Sequence, residues 1–408
     1  MSLNVGEKKM LHRQAAFMDY NYYIYFSETM IDKILLFPYW LTLKFRHAFY
    51  NIGLFKSHKA EVPTICVGNI TVGGTGKTPH TEMIVRMLLE SEEWKDKNIA
   101  VLSRGYKRKS KGFQQVTVEG SAEDFGDEPL QIKRKFPQVT VAVDKSRKEG
   151  CQFLSNPELL KTSKKARRCI NKDIPKADII VLDDAFQHRA LKPDLSIVLV
   201  DYSRPVFKDY LLPIGRLRDL PERIAAADII VVTKCPTYID DQQREKWAKN
   251  LGLKEFDPQT CEGIRKKGRK TRTQHIFFTS IAYDMAQAIF PEGDPRYIYS
   301  QRLILFSGIA NDTPLRNYLC GNYKIVKHFN FPDHHKFTRS DIHSIRDAAD
   351  SYPTSVIMTT EKDCQRIRDC RFIPGGIKQR MFHAPIKVGF LTDEDRDIFR
   401  SLLISSLK

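Results

Sequence analysis

Lys77 and Thr78 directly follow a cluster of glycines in the run Thr64-Ile-Cys-Val-Gly-Asn-Ile-Thr-Val-Gly-Gly-Thr-Gly-Lys-Thr-Pro79. An ammonium and a hydroxyl placed after such a turn suit a nucleoside triphosphate. The backbone N–H groups of Thr71, Val72, Gly73, Gly74, Thr75 and Gly76 can curl around phosphate oxygens, and a helix opening at Lys77 adds the partial positive charge of its N-terminus. Lys77 can reach the β- and γ-phosphates, and the Thr78 hydroxyl can hold Mg²⁺. The strict G-x-x-x-x-G-K-[ST] spacing asks for glycine where this chain has Thr71. A Gly-rich turn with a chance lysine is the plainer reading; the spacing favours a nucleotide site.

Other groups could complete such a site. Ala177-Asp-Ile-Ile-Val-Leu-Asp183-Asp184 ends an apolar strand in two carboxylates, and Gln187, His188 and Arg189 follow. At the carboxyl end of a parallel strand beside a phosphate loop, Asp184 or Asp183 can serve Mg²⁺; strands also end in Asp simply because a turn begins. Arg104, in Ser103-Arg-Gly-Tyr106, emerges on the same edge as a phosphate contact or a surface cation. Gly126-Asp127-Glu128-Pro129 reads locally as a helix start, with acids in the first turn. The alternative is that Asp127 accepts a proton from an attacking hydroxyl. In Phe331-Pro-Asp-His334-His335-Lys-Phe337, adjacent histidines point apart, so they do not share one metal. One can orient a carboxylate across a cleft, or both can be structural.

The elements that must position these groups are legible from apolar periodicity. Short β-branched runs at 65–70, 99–102, 139–143, 179–182, 197–200 and 229–233 are separated by helix-length stretches at 81–89, 129–136 and 145–154. Continuous apolar strands alternating with helices predict a parallel sheet covered on both faces. The expected fold is α/β: a P-loop NTPase-like parallel sheet flanked by helices, with a second, smaller α/β domain. The expected organisation is a polar leader and membrane-interfacial helix over 1–55, a P-loop core over 56–240, a basic linker over 241–274, and a C-terminal domain over 275–408 that closes the cleft. Hinges are expected near 240–300 and 365–390.

The chain has 408 residues and 66 Lys and Arg against 49 Asp and Glu, a net charge of +17. That balance favours anionic partners. The basic runs 161–168 and 265–272 lack interleaved aromatics for base stacking and read as solvated loops, so no nucleic-acid partner is expected. Eight scattered cysteines without a C-x-x-C pair read as reduced thiols. No apolar run reaches the length of a bilayer span, and no signal peptide is evident. The aromatic patch at 34–41, flanked by Lys44, Arg46 and His47, suits either a membrane interface or packing on the protein's own core. Met18 and Met30 are alternative starts.

Taken jointly, the motifs resemble the tetraacyldisaccharide 4′-kinase family. The carrying segments are GNITVGGTGKTP at 68–79, LSRGY at 102–106, GDEP at 126–129, VAVDKSR at 141–147, LDDAFQHR at 182–189, LLPIGRLRD at 211–219, ADIIVVTK at 227–234, FSGIAN at 306–311 and FPDHHKF at 331–337. The resemblance implies ATP-dependent phosphorylation of the 4′-hydroxyl of a tetraacylated glucosamine disaccharide 1-phosphate. It implies a monomeric protein attached peripherally to the cytoplasmic face of the inner membrane. On the matching positions Asp127 would be the base, assisted by His334; Lys77 would hold phosphates; Thr78 with Asp184, or Asp183, would serve Mg²⁺. Glu128, Arg104, Gln187, His188 and Arg218 would be secondary contributors. Rival readings are another P-loop kinase, a nucleotide-driven metal chaperone, or a nucleotide-gated membrane or nucleic-acid binding protein.

Overall fold

The computed structural model describes residues 30–267 and 270–407. The polar leader and the alternative start at Met18 lie outside the described residues. The chain opens with helix α1 (Met30–Asn51). It then alternates β1 (Thr64–Asn69), α2 (Lys77–Leu89), β2 (Ile99–Ser103), β3 (Gln114–Gln115), α3 (Asp127–Lys135), β4 (Thr140–Val143) and α4 (Arg147–Ser155). Next come β5 (Ile179–Asp183), β6 (Leu195–Asp201), β7 (Ile229–Thr233), α5 (Asp241–Asn250), β8 (Lys254–Asp257), β9 (Glu262–Lys267) and β10 (Lys270–Tyr283). The remainder is β11 (Gln287–Ala288), β12 (Arg302–Ser307), α6 (Thr313–Cys320), β13 (Lys324–Asn330), α7 (Arg339–Ser351), β14 (Val356–Thr360), α8 (Glu361–Arg368), β15 (Met381–Ala384), β16 (Ile386–Phe390) and α9 (Asp393–Ser405).

The strands form an 11-stranded sheet in the order β3-β4-β2-β5-β1-β6-β7-β10-β9-β8, with β16 also on β10, and a 5-stranded sheet in the order β11-β15-β14-β12-β13. From β4 to β10 every neighbour in the large sheet is parallel. Such strands must be apolar on both faces, because helices cover each side. Alternate side chains therefore join different cores: Ile65 and Val67 of β1 pack with Ile84 and Leu88 of α2, Leu130 of α3 and Phe399 of α9, while Cys66 faces Leu43 of α1 and Leu154 of α4. In the small sheet Ile304 and Phe306 of β12 face one core, and Leu303 and Leu305 the other.

Two expected boundaries are corrected by the strand pairing. The stretch 241–274 is no linker: β9 and β10 pair antiparallel from Lys267↔Lys270 to Glu262↔His275 and extend the large sheet. Its charge disguised it, because an edge ladder can leave one face in water and carry cations there. Arg265 donates to Gln274 Oε1 at 2.8 Å, Lys266 pairs with Glu255 at 2.9 Å, and Arg272 pairs with Asp228. Nor does the second unit begin at 275. β10 pairs in parallel with β7 over His275–Phe278, then antiparallel with β16 over Thr279–Tyr283. The chain crosses to the small sheet after Tyr283 and returns at Ile386, so β16 and α9 belong to the large one.

A buried ion network ties the two sheets' helices together. Lys135 of α3 bridges Glu82 of α2 at 2.6 Å and Glu361 of α8 at 2.9 Å. Gln131 Nε2 donates to Glu82 Oε1 at 2.8 Å, and Arg134 Nη1 to Gln365 Oε1 at 2.8 Å. Glu82 and Glu361 are only 3% and 7% exposed, so both depend on Lys135 for compensation of their charge. Burial and then the Glu361 charge push the Glu82 carboxyl upward against the pull of Lys135.

Candidate active site

β1 runs into a loop over Ile70–Gly76 and α2 begins at Lys77, as the glycine spacing predicts. Gly73 and Gly76 have φ of 105° and 85°, a left-handed backbone that a side chain would strain. Asn69 organises the loop from beneath: its Nδ2 donates to Thr75 Oγ1 at 2.6 Å and to Thr71 Oγ1 at 3.3 Å. Val72 N donates to Arg216 O at 2.8 Å, so the 211–217 segment supports the loop from its other side. His80 fixes the first turn of α2, with Nδ1 2.7 Å from Gly76 O and Nε2 3.0 Å from Thr279 Oγ1. Burial holds that imidazole down at about 4, so it stays neutral.

Asp183 and Asp184 end β5 beside β1, with Asp183 in register with Val67. They differ in environment. Asp183 is buried and accepts from Thr81 Oγ1 at 3.3 Å and Ser103 Oγ at 3.1 Å; burial, then Glu128 and Asp184, raise its carboxyl above the ordinary range. Asp184 takes a positive φ of 50° that turns its carboxylate outward. There it meets Arg218 through both oxygens, and Lys77 Nζ at 3.9 Å. Burial opposes ionisation of Asp184, but Lys77 and Arg218 outweigh it and hold it below the usual range. Arg218 also donates to Asn69 Oδ1 at 2.6 Å, joining the phosphate loop to the acidic edge. At Gly68 an added Cβ would lie 2.6 Å from Phe186 Cβ, so β1 and the segment after β5 touch too closely there for a side chain.

Asp127 opens α3 from the large sheet, and His334 reaches it from the loop after β13 of the small one. His334 Nδ1 lies 3.0 Å from Asp127 Oδ2. His334 has a φ of 62° and its N–H donates to Gly308 O at 3.1 Å, a strained turn held by the loop after β12. Asp127 is 6% exposed. Burial raises its carboxyl, yet the His334 hydrogen bond and the charges of Lys362 and Arg366 outweigh burial and hold it down at about 2. Arg366 Nε is 3.6 Å from Asp127 Oδ2, and Lys362 Nζ is 3.3 Å from both Glu128 Oε1 and His334 Nε2. The Tyr106 ring stands 5.5 Å from His334. The two histidines do part company: His335 stacks on Phe331 at 4.6 Å and meets Asp341 Oδ2 at 2.9 Å.

Of the sequence-nominated residues, Lys77, Thr78, Asp183, Asp184 and Arg218 gather around the phosphate loop, and Asp127, Glu128 and His334 gather where the sheets meet. Gln187 supports the first group by donating to Asn69 O. Arg104 is exposed at the end of β2, and His188 is half-buried, held down by burial and then Arg147, Arg46 and Arg104. Sequence reasoning passed over Asn69, Arg147, Lys362 and Arg366. Arg147 is 2% exposed and donates to the carbonyls of Asp183 at 3.0 Å and Asp184 at 3.4 Å. Its signal was an arginine just beyond an apolar strand in a buried helix start. Helix α1 docks through Leu36, Leu43 and His47, whose Nε2 is 2.6 Å from Asp219 Oδ1, and leaves Phe37, Phe45, Ile52, Leu54 and Phe55 exposed on and just beyond it. Packing on the protein's own core therefore accounts for one side of that segment, and its other side carries exposed apolar residues.

Residues 33–406 match the family model described as tetraacyldisaccharide-1-P 4′-kinase. The chain is 36% identical over 380 residues to the tetraacyldisaccharide 4′-kinase of Parabacteroides distasonis, covering 91% of this chain and 92% of that protein. It is also 36% identical over 362 residues to the enzyme of that name from Phocaeicola vulgatus, covering 87% and 89%. Among solved structures it resembles LpxK from Aquifex aeolicus in complex with ATP, with a TM-score of 0.63 and 26% identity over 92% of this chain and 98% of that one.

Proposed function

This chain belongs to the tetraacyldisaccharide-1-P 4′-kinase family, and from that premise we propose how its own residues move the γ-phosphate of ATP to the 4′-hydroxyl of tetraacyldisaccharide 1-phosphate in lipid A biosynthesis. The observation that carries the reading is the meeting of Asp127 and His334, from two different sheets, at 3.0 Å. The loop 71–76 and the N-terminus of α2 cradle the triphosphate, and Lys77 exchanges Asp184 for phosphate oxygens. The oxygen donors of Thr78, Asp184 and Asp183 suit Mg²⁺, which is commonly held by one or two carboxylates together with phosphates. When bound, that ion neutralises charge building on the transferring group.

Asp127 receives the hydroxyl proton. A carboxylate held down at about 2 is a weak base in the ground state. That matches a loose phosphoryl transfer, in which the nucleophile's proton departs late and orientation matters more than basicity. His334 fixes which oxygen of Asp127 faces the sugar. In an assay of labelled γ-phosphate transfer in detergent micelles, Lys77→Ala should lower kcat about 10²–10³-fold and also weaken nucleotide binding. Unchanged ATP affinity in that variant would remove Lys77 from the phosphate site.

The acyl chains place the acceptor in a bilayer, and the reading extends to a peripheral monomer on the cytoplasmic face of the inner membrane. None of the described helices is long and apolar enough to cross a membrane. The exposed Phe37, Phe45, Ile52, Leu54 and Phe55 give an apolar edge that can enter the headgroup region. Fully burying one such side chain is worth about 1.5–3 kcal/mol. Replacing Phe45, Ile52, Leu54 and Phe55 with Ser should therefore weaken liposome binding at least ~10-fold while ATP affinity stays unchanged. Equal liposome sedimentation of variant and wild type would sink the membrane role.

A further inference from the structure

The roles above leave Lys362 unused, although it stands in the first turn of α8 with its ammonium against the acceptor-side pair. Its Nζ is 3.3 Å from His334 Nε2 and 3.3 Å from Glu128 Oε1. An ammonium has only hydrogens to offer. The ring nitrogen it meets must therefore present a lone pair, and the imidazole proton must sit on Nδ1, the atom 3.0 Å from Asp127 Oδ2. The remaining groups around the ring are Asp333, whose Oδ2 is 3.8 Å from Nε2, the Tyr106 ring at 5.5 Å, and Arg366, which approaches Asp127 at 3.6 Å. Asp333 would favour a proton on Nε2, but its side chain is 44% exposed and lies farther away than Lys362.

We propose that Lys362 is a positioning residue that sets the tautomer of His334. By donating to Nε2 it keeps a ring proton on Nδ1, so His334 acts as the hydrogen-bond donor to Asp127 and not as the acceptor. Lys362 at the imidazole end and Arg366 at the carboxylate end of this hydrogen bond both help compensate the negative charge of Asp127. No bond is made or broken by Lys362 itself. The catalytic consequence rests on the reading of Asp127 as the proton acceptor; the tautomer does not.

The test is ¹⁵N NMR of the full chain labelled at histidine, with the His334 signals assigned by their loss in His334→Gln. Wild type at pH 8 is expected to show a protonated Nδ1 and an unprotonated Nε2. In Lys362→Met, with no donor left at Nε2, the ring proton should shift from Nδ1 toward Nε2. Lys362→Met should lower kcat about 10–100-fold with KM for ATP within two-fold, and Lys362→Arg should restore the Nδ1–H form and part of the rate. A wild-type ring protonated at Nε2 overturns the proposal even if Lys362→Met fails to fold, as does a folded Lys362→Met whose ring is unchanged. Full turnover by Asp127→Asn would instead overturn the proton-acceptor role while leaving the tautomer assignment standing.

Discussion

Asp127→Asn is expected to lower kcat by about 10²–10⁴-fold while leaving the dissociation constant for ATP within two-fold of wild type. The amide fills the same space at the start of α3 but cannot take a proton. It also cannot pair with the cations that converge there, Lys362 and Arg366. Nucleotide binding should survive because Lys77, Thr78 and the 71–76 loop stand on separate elements, braced by Asn69 and Arg218. The pH dependence has a definite sign. Asp127 is depressed from 3.8 to about 2 in the folded chain, so its contribution to stability is present above pH ~4 and is lost as pH falls toward 2. The Asn variant should accordingly lose most of the wild type's stability advantage at neutral pH and little near pH 2. Micellar transfer assays, calorimetric ATP titration and denaturant unfolding at several pH values check all three parts. A kcat within three-fold of wild type would remove Asp127 from the chemistry.

Lys135→Met should cost about 3–5 kcal/mol of stability, the usual result of removing one partner from a buried ion pair. The variant leaves Glu82 and Glu361 facing each other with 3% and 7% exposure. The loss should grow with pH. A carboxylate whose folded pKa is raised binds more protons folded than unfolded, so stability declines as pH rises past its unfolded value near 4.5. Urea unfolding at pH 5.5 and pH 8 should show the larger deficit at pH 8, and adding Glu82→Gln should recover part of it. A deficit below about 1 kcal/mol at both pH values would mean water already reaches the network. Since Lys135 joins α2, α3 and α8, the variant should also loosen the approach of His334 to Asp127.

How much of this was readable beforehand varied with the range of the interaction. The phosphate loop, the paired aspartates and the parallel strands were legible because each is a local pattern: glycines before a lysine, an apolar run ending in acid, continuous β-branched runs between helix-length stretches. The extension of the large sheet through β8, β9 and β10 was not. The run 276–279 reads as a strand, but β8, β9 and the first residues of β10 are too charged to announce one, and what fixes them is a ladder that β10 anchors on β7 and passes on to β9 and β8. Lys362 and Arg366 hid for another reason. Thr360-Glu-Lys-Asp363 reads as a helix start, which it is: Thr360 Oγ1 donates to Asp363 Oδ2 at 2.6 Å and accepts from Asp363 N at 3.0 Å. The same helix also brings Lys362 to Glu128 and His334, and Arg366 to Asp127, and no local rule reveals that. Lys135 was invisible likewise, since only the fold brings Glu82 and Glu361 to it.

The small sheet is strung between β10 and β16, which run antiparallel side by side, and Asp284 N donates to Pro385 O at 2.9 Å where the chain departs and returns. In topological terms, residues 285–384 form an excursion between two adjacent strands of the large sheet. His334, Lys362 and Arg366 therefore all reach Asp127 from one continuous stretch of chain whose two ends meet at the large sheet, so a shift of that stretch would move the three of them together.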